Sequence, residues 1–252
     1  LITDTALMKL FITREFGIDE KKIFVVPLGA NDKIYQPGNL HIPDKVVRVF
    51  FFGLYNPMHG ANIILEAVKL LKKYKNIKFT LLGDGYLKPD LVRFAHDHHL
   101  DHVEFADFVP ETLLIQRIQK EDILLGVFSN SPVFHRAIPN KVFAALACRK
   151  PLITAKLPPV AQYLKHRKNV FFCQPENPVS LAQAIKTLVN DRPLQKKLAD
   201  AGYELFNKKL LRPKTIKEKN MPFGRCVFYD DEKGCTIHEV KPLECKTSIQ
   251  CR

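Results

Sequence analysis

The sequence predicts an α/β fold, with a doubly wound parallel sheet and a small cysteine-rich segment at the C-terminal end. From residue 45 onward, short continuous apolar runs alternate with amphipathic helical stretches. Strands of that kind are typical of a parallel sheet covered by helices on both faces. The 252 residues, 46% of them hydrophobic, suffice for one or two domains. Four of the six cysteines lie in the last 27 residues, which indicates a separate unit there.

The first 44 residues predict the end of one domain followed by a linker. Their pattern predicts a helix over residues 5–16, closed by Gly17, and a short strand over residues 23–26. The stretch that contains Pro37, Gly38 and Pro43 has the composition of a linker. Because the chain does not begin with Met and opens like the end of a strand, we expect it to lack an amino-terminal part.

Residues 45–210 have the regular alternation of a Rossmann-like domain. The helical assignments rest on apolar residues with a period near 3.6, such as Ile64, Ala67, Val68 and Leu71. The predicted strands lie at residues 49–52, 78–82, 103–105, 123–128, 152–154 and 170–173. Besides a helix that begins at Pro139, helices are predicted at residues 60–74, 87–99, 110–120, 161–165, 178–190 and 193–208. Ligands of such sheets bind at the loops that follow the strands.

The segment from Ile138 to Thr154 is the most informative of these. It predicts a loop, a helix that opens with Pro139, a basic turn and a short buried strand. Free N–H groups and the positive end of the dipole make a helix start favourable for phosphate. An ordinary helix start in an α/β domain is the alternative reading.

The chain carries a net charge of +13, which favours anionic partners such as nucleotides or acidic lipid surfaces. The lysines are spread over many helices, and no ladder of alternating aromatic and basic residues predicts specific nucleic-acid binding. No apolar run approaches the length of a membrane span, and no secretory signal is recognisable. We expect a cytoplasmic protein, with peripheral contact to an acidic membrane as a further expectation.

A set of short motifs in residues 1–210 carries a resemblance to a known family. In chain order these motifs are Val25-Val26-Pro27-Leu28-Gly29-Ala30, Phe52-Gly53, Gly60, Leu82-Gly83-Asp84-Gly85, Pro139-Asn140-Lys141 and Lys150-Pro151-Leu152-Ile153. Their order resembles the donor-binding half of the family-four glycosyltransferases of GT-B fold. The resemblance implies transfer of a sugar from a nucleotide-diphosphate sugar to an acceptor, a glycan or a lipid-linked sugar, without a bound metal.

The resemblance, together with the residue chemistry, predicts a donor site. Its members are Gly53, Gly83, Gly85, Arg136, Pro139, Asn140, Lys141 and Ala144. Arg136 and Lys141 would supply positive charge to a diphosphate leaving group, and the glycines would allow close approach of the backbone to the nucleotide. The alternative for the two cations is a solvent-facing pair.

The sequence also departs from the family pattern. The family's two acidic residues should fall at positions 136 and 144, where this chain has Arg136 and Ala144; the second of them holds the ribose hydroxyls. His59 stands where the family has a lysine before Gly60. We therefore expect weakened nucleotide affinity and little or no transferase activity of the isolated chain. The sequence assigns no catalytic base. An inactive homologue that only binds donor is the alternative.

Residues 211–252 resemble the second half of a zinc- or iron-chelating domain of the CxxCxxxCC type, whose opening motif is absent here. The resemblance implies zinc or iron at Cys226, Cys235, Cys245 and Cys251, whereas the spacing C-x8-C-x9-C-x5-C contains no close pair. Unmetallated thiols are the alternative, and a metal-binding protein is the alternative function. Two partial families in one chain suggest a fused gene.

Overall fold

The computed structural model describes residues 1–26, 28–38 and 45–207, together with the strand residues 229–230 and 234–235. The described strands are β1 (Ile2–Thr3), β2 (Phe24–Val25), β3 (Val47–Phe52), β4 (Ile77–Leu82), β5 (Val103–Ala106), β6 (Ile123–Leu125), β7 (Leu152–Ala155), β8 (Phe171–Cys173), β9 (Tyr229–Asp230) and β10 (Gly234–Cys235). The described α-helices are α1 (Ala6–Phe16), α2 (Ala61–Leu70), α3 (Lys88–Asp97), α4 (Glu111–Lys120), α5 (Asn140–Ala147), α6 (Pro158–Tyr163), α7 (Pro178–Asn190) and α8 (Arg192–Leu205).

Six parallel strands form the central sheet in the order β5-β4-β3-β6-β7-β8. Within this sheet that is the order 3-2-1-4-5-6 of a doubly wound fold, which confirms the predicted class. The chain runs outward from β3 to one edge and then returns to pair β6 with β3 on its other side. The direction in which successive strands are added to the sheet reverses between β3 and β6. This reversal opens a crevice at the carboxyl ends of the two strands, where such folds bind ligands.

Two apolar layers sandwich this sheet because alternate residues of its strands face opposite sides. Phe51 of β3 points into a core that contains Ile64 of α2 and Leu181 of α7. Its neighbour Phe50 points into the opposite core, with Val142 of α5. All of these side chains are fully or almost fully buried. Helices therefore cover both faces, as the continuous apolar strands predicted.

Most element predictions hold to within a few residues, and the exceptions have local causes. Strand β6 ends at Leu125 instead of residue 128, and beyond its end Val127 bonds to the side chain of Thr154 through both its N–H and its carbonyl oxygen. Helix α2 ends at Leu70, whereas the sequence predicts that it continues to residue 74. Helix α6 begins three residues early, at Pro158, since proline fits the first turn of a helix.

A small β1-α1-β2 unit precedes the sheet. Thr5 caps α1 by accepting a hydrogen bond from the Met8 N–H at 3.0 Å, and Gly17 ends it in the left-handed conformation, as predicted. The Thr5 hydroxyl also donates to the carbonyl oxygen of Arg136, so this unit contacts the loop before α5. None of the described helices has the length and apolar character that crossing a membrane requires.

The cysteines fall into two groups. Cys148 and Cys173 are free and buried, as the sequence predicted. Of the predicted metal ligands, Cys226, Cys245 and Cys251 lie outside the described residues. Cys235 is described only as a backbone position of β10, which pairs antiparallel with β9. The metal site and the domain limits at residues 44 and 210 therefore stay predictions.

Candidate functional site

The loops after the first two strands of the sheet pack tightly against each other at its carboxyl edge. The N–H of Gly53 donates to the Leu82 carbonyl oxygen at 2.9 Å, and the N–H of Tyr55 donates to the Asp84 carbonyl oxygen at 2.8 Å. Gly83 has φ +156°, and a Cβ there would overlap the carbonyl oxygen of Gly53. At Gly85, with φ +150°, a Cβ would lie 2.5 Å from the Tyr55 carbonyl oxygen.

This packing gives Gly83 and Gly85 a role that the sequence did not predict. The space that a side chain would take at each of them is filled by neighbouring backbone, so both glycines are required for the loops to meet. Their expected close approach to a nucleotide stays a prediction. At Gly53 the corresponding space is occupied by a cation, since a Cβ there would lie 2.9 Å from Lys141 Nζ.

Lys141 is the central residue of the crevice. Its side chain leaves the first turn of α5 and is buried to 6% exposure. The Nζ atom lies 4.0 Å from the ring centroid of Phe51 and 5.9 Å from that of Phe52. Among the described residues it has no hydrogen-bond partner. Burial lowers the pKa of Lys141 from 10.5 to about 7, because removing an ammonium from water disfavours its charged form.

His59 shares this pocket with Lys141. A Cβ on Gly53 would lie 3.4 Å from His59 Nδ1, beside the lysine Nζ. The ring stacks on Phe134 with centroids 5.7 Å apart, and its Nδ1 lies 2.8 Å from the Leu54 carbonyl oxygen, as a donor to it. Burial, and then the charge of Lys141, lower the pKa of His59 to about 4. His59 is therefore neutral near pH 7 and does not replace the family's lysine as a second cation.

The start of α5 differs slightly from the prediction. Pro139 is the residue before the helix, with φ −62° and ψ 135°, and Asn140 is the first helical residue. The extended ψ lets the chain enter from the loop, while the Pro139 carbonyl oxygen accepts the Val142 N–H at 2.9 Å. No side chain in the described part of the protein caps this helix start. The first N–H groups of α5 and the Lys141 side chain thus belong to the same helical turn.

Arg136 lies in the loop before α5 and contacts the amino-terminal unit. Its guanidinium carbon is 3.8 Å from the ring centroid of Phe11 in α1. The Nε atom is buried and has no hydrogen-bond partner within the described ranges. Arg136 and Lys141 are therefore not a solvent-facing pair, which excludes the alternative reading of the two cations. Arg136 packs against the ring of Phe11, and Lys141 against the rings of Phe51 and Phe52.

Ala144, one turn after Lys141, is buried to 4% exposure. Its methyl group cannot accept a hydrogen bond, so the position offers no group for ribose hydroxyls. The sequence interpretation did not identify Phe51 and Phe52 as neighbours of the lysine. The sequence of α5 is apolar on nearly every side, which predicts a buried helix, and all seven residues from Lys141 to Ala147 are buried. From that pattern the burial of the Lys141 side chain could have been predicted.

Two surface cavities lie elsewhere. One, of about 530 Å³, is lined by residues at the amino ends of the strands, including Arg48, Lys78 and Val103. The other, of about 600 Å³, lies between Lys150 and α8. Neither is lined by the residues around Lys141. The crevice is favoured over both because it lies at the carboxyl ends of β3 and β6.

Comparisons with known proteins show the family and the fold that this chain shares. A family described as glycosyl transferases group 1 matches residues 32–205. An uncharacterised glycosyltransferase of Methanocaldococcus jannaschii, MJ1178, is 25% identical over 198 residues, which cover 78% of this chain and 52% of that protein. This chain thus spans about half the length of the curated relatives it matches.

Solved structures share the fold. A glycosyltransferase from Rickettsia africae superposes with a TM-score of 0.71 at 18% identity, covering 83% of this chain and 59% of that one. HepE of Anabaena, crystallised with UDP and glucose, superposes with a TM-score of 0.69 at 18% identity, covering 83% of this chain and 58% of that one.

Proposed function

The chain belongs to the glycosyl transferases group 1 family, and we propose that its sheet domain binds a nucleotide-diphosphate sugar with the diphosphate at Lys141. The observation that carries this proposal is the buried Nζ of Lys141, which has no partner among the described residues. A buried ammonium is costly unless an anion or hydrogen-bond acceptor compensates it. A diphosphate at the crevice would supply both.

The proposed chemistry is transfer of the sugar to an acceptor, with the nucleoside diphosphate as leaving group. Negative charge grows on the diphosphate as the bond to the sugar breaks, so a positive group fixed next to it lowers the barrier. Lys141 and the first N–H groups of α5, which no described side chain caps, would provide that stabilisation. Arg136, whose Nε has no partner within the described ranges, would offer a guanidinium to a second phosphate oxygen.

We propose a glycan or lipid-linked acceptor and a cytoplasmic location, and the net charge of +13 would favour peripheral contact with an acidic membrane. An inactive homologue that only binds donor is a second candidate, which buried Ala144 favours. Release of UDP from UDP-glucose with and without acceptors would separate the two. No group of three or more His, Cys, Asp or Glu side chains that could hold a metal occurs among the described residues, which do not include the side chains of the predicted cysteine ligands.

Calorimetric titration with UDP-glucose, UDP and uridine tests the donor site. We expect UDP-glucose and UDP to bind, and uridine to bind at least about tenfold more weakly, because charge-assisted hydrogen bonds to the diphosphate contribute about 1.5–3 kcal/mol. Equal binding of uridine and UDP-glucose would contradict a site built around the diphosphate. Absence of binding by all three would contradict the proposed function itself.

Replacing Ala144 with Glu tests whether the missing carboxylate weakens the donor site. We expect UDP-glucose to bind up to about tenfold more tightly to Ala144→Glu, because a carboxylate can accept the ribose hydroxyls. A ligand without the 2′-hydroxyl should gain less, and Ala144→Gln serves as the uncharged control of similar size. An equal gain for the deoxy ligand, or a loss of affinity in a folded variant, would show that position 144 does not contact ribose.

A further inference from the structure

We infer that binding of the donor diphosphate draws a proton from solvent onto Lys141, so that donor affinity falls as pH rises above neutrality. This inference deepens the proposed function and rests on it. The observations that carry it are the burial of the Nζ atom, the groups that surround it, and the absence of any acidic group among its described contacts.

The surroundings of Lys141 disfavour a charged lysine in the empty crevice. Strand β3 presents the rings of Phe51 and Phe52, and the loop after it presents Gly53. The loop before α2 contributes His59, whose ring is neutral near pH 7. The attraction of the ammonium to two phenyl faces offsets only part of its lost hydration. The rings replace none of the hydrogen bonds that water would make with it.

A bound diphosphate reverses this preference. Its negative charge lies beside the Nζ atom and its oxygens accept the ammonium hydrogens, which favours the protonated form. The lowered pKa of Lys141, about 7 in the free protein, agrees with a lysine that is largely neutral at pH 8. At pH 8, binding must therefore be accompanied by uptake of most of a proton from solvent, whereas at pH 6 Lys141 already carries the proton.

The His59 ring does not offer the same exchange. Its Nδ1 lies within hydrogen-bonding distance of the Leu54 carbonyl oxygen, and its pKa of about 4 leaves it neutral throughout the range from pH 6 to pH 9. Beside a protonated Lys141, a second positive charge is further disfavoured. The inference therefore assigns the proton to Lys141.

Titration calorimetry at one pH in two buffers of different ionisation heat measures the proton directly. The probe is UDP-glucose, a diphosphate diester whose phosphates keep their charge between pH 6 and pH 8. With a free pKa near 7, we expect uptake of about 0.9 proton at pH 8 and about 0.1 at pH 6. The dissociation constant should rise about tenfold between those pH values.

Two variants identify the group that takes the proton. Lys141→Arg carries a side chain that stays charged, so its binding should show no proton uptake and no pH dependence in this range. His59→Asn should retain the uptake at pH 8. If Lys141→Arg fails to fold or to bind, the wild-type and His59→Asn titrations still decide the matter.

Each outcome separates this inference from the proposed function. Binding of UDP-glucose with no proton uptake at pH 8 overturns the inference and leaves the donor site intact. Loss of the uptake in a folded His59→Asn variant assigns the proton to His59 and also overturns it. If the wild-type protein binds no UDP-glucose, the donor site and the inference are overturned together.

Discussion

Lys141→Met is expected to abolish UDP-glucose binding and to raise the stability of the protein. The methionine chain has a similar length and fills the space between the rings of Phe51 and Phe52 without a desolvated amine. Replacing a buried charged group with an apolar one of similar volume commonly stabilises a protein by about 1–4 kcal/mol. The loss of the Lys141 amine, which would contact the diphosphate, should weaken binding at least about a hundredfold.

The gain in stability should depend on pH in a direction that identifies the lysine. The pKa of Lys141 is about 7 in the folded protein and 10.5 when the side chain is free. Between these values the unfolded state binds the proton and the folded state does not, so the wild type becomes more stable as pH rises, by up to about 1.4 kcal/mol per unit. The advantage of Lys141→Met is therefore complete below pH 7 and shrinks toward pH 10.

Chemical denaturation of both proteins at pH 6 and pH 9 measures this difference. Lys78→Met is the matched control, because it removes the same charge from an exposed position at the amino end of β4. The control should bind UDP-glucose like the wild type and change stability by less than about 0.5 kcal/mol. A Lys141→Met protein that is less stable at pH 6, or that retains donor affinity, would contradict the assignment of Lys141 as an uncompensated buried cation.

Gly83→Ala is expected to destabilise the fold by about 3–5 kcal/mol. A Cβ at this position would overlap the carbonyl oxygen of Gly53, and the φ angle of +156° is strained for any residue with a side chain. Relief requires the loops after β3 and β4 to separate. Because Gly53 is the residue against which Lys141 packs, donor binding should be lost in the same variant.

Gly17→Ala is the matched control for this substitution. Gly17 also has a positive φ, of +64°, but nothing lies within 4 Å of the position of a Cβ there. It should cost only the conformational penalty, about 1–2 kcal/mol. Urea denaturation of the two variants compares them, and equal stability would mean that the loops at the sheet edge adapt without cost.

The sequence predicts the elements of this fold better than their arrangement. Alternating apolar strands and amphipathic helices are local patterns, so α7, for example, occurs at Pro178–Asn190 as expected. Strand order is not local. The return of β6 to the free side of β3 joins residues more than 70 positions apart, and no periodicity in either strand encodes it.

The candidate site shows the same division. The start of α5 next to Pro139 is visible in the sequence, and together with the family resemblance it predicts Arg136 and Lys141 as site residues. Whether those cations face solvent depends on side chains far along the chain, namely Phe11 for Arg136 and Phe51 for Lys141. The sequence also predicts the loop glycines as site residues. The backbone that fills the space beside Gly83, however, belongs to Gly53 in the loop after β3, and no local pattern predicts that contact.

A crystal structure of the protein soaked with UDP would locate the diphosphate relative to Lys141. We expect a diphosphate oxygen within about 3.2 Å of Lys141 Nζ, in the crevice between the ends of β3 and β6 and facing the start of α5. Nucleotide bound at another site, with Lys141 Nζ still enclosed by Phe51, Phe52 and Gly53, would contradict it.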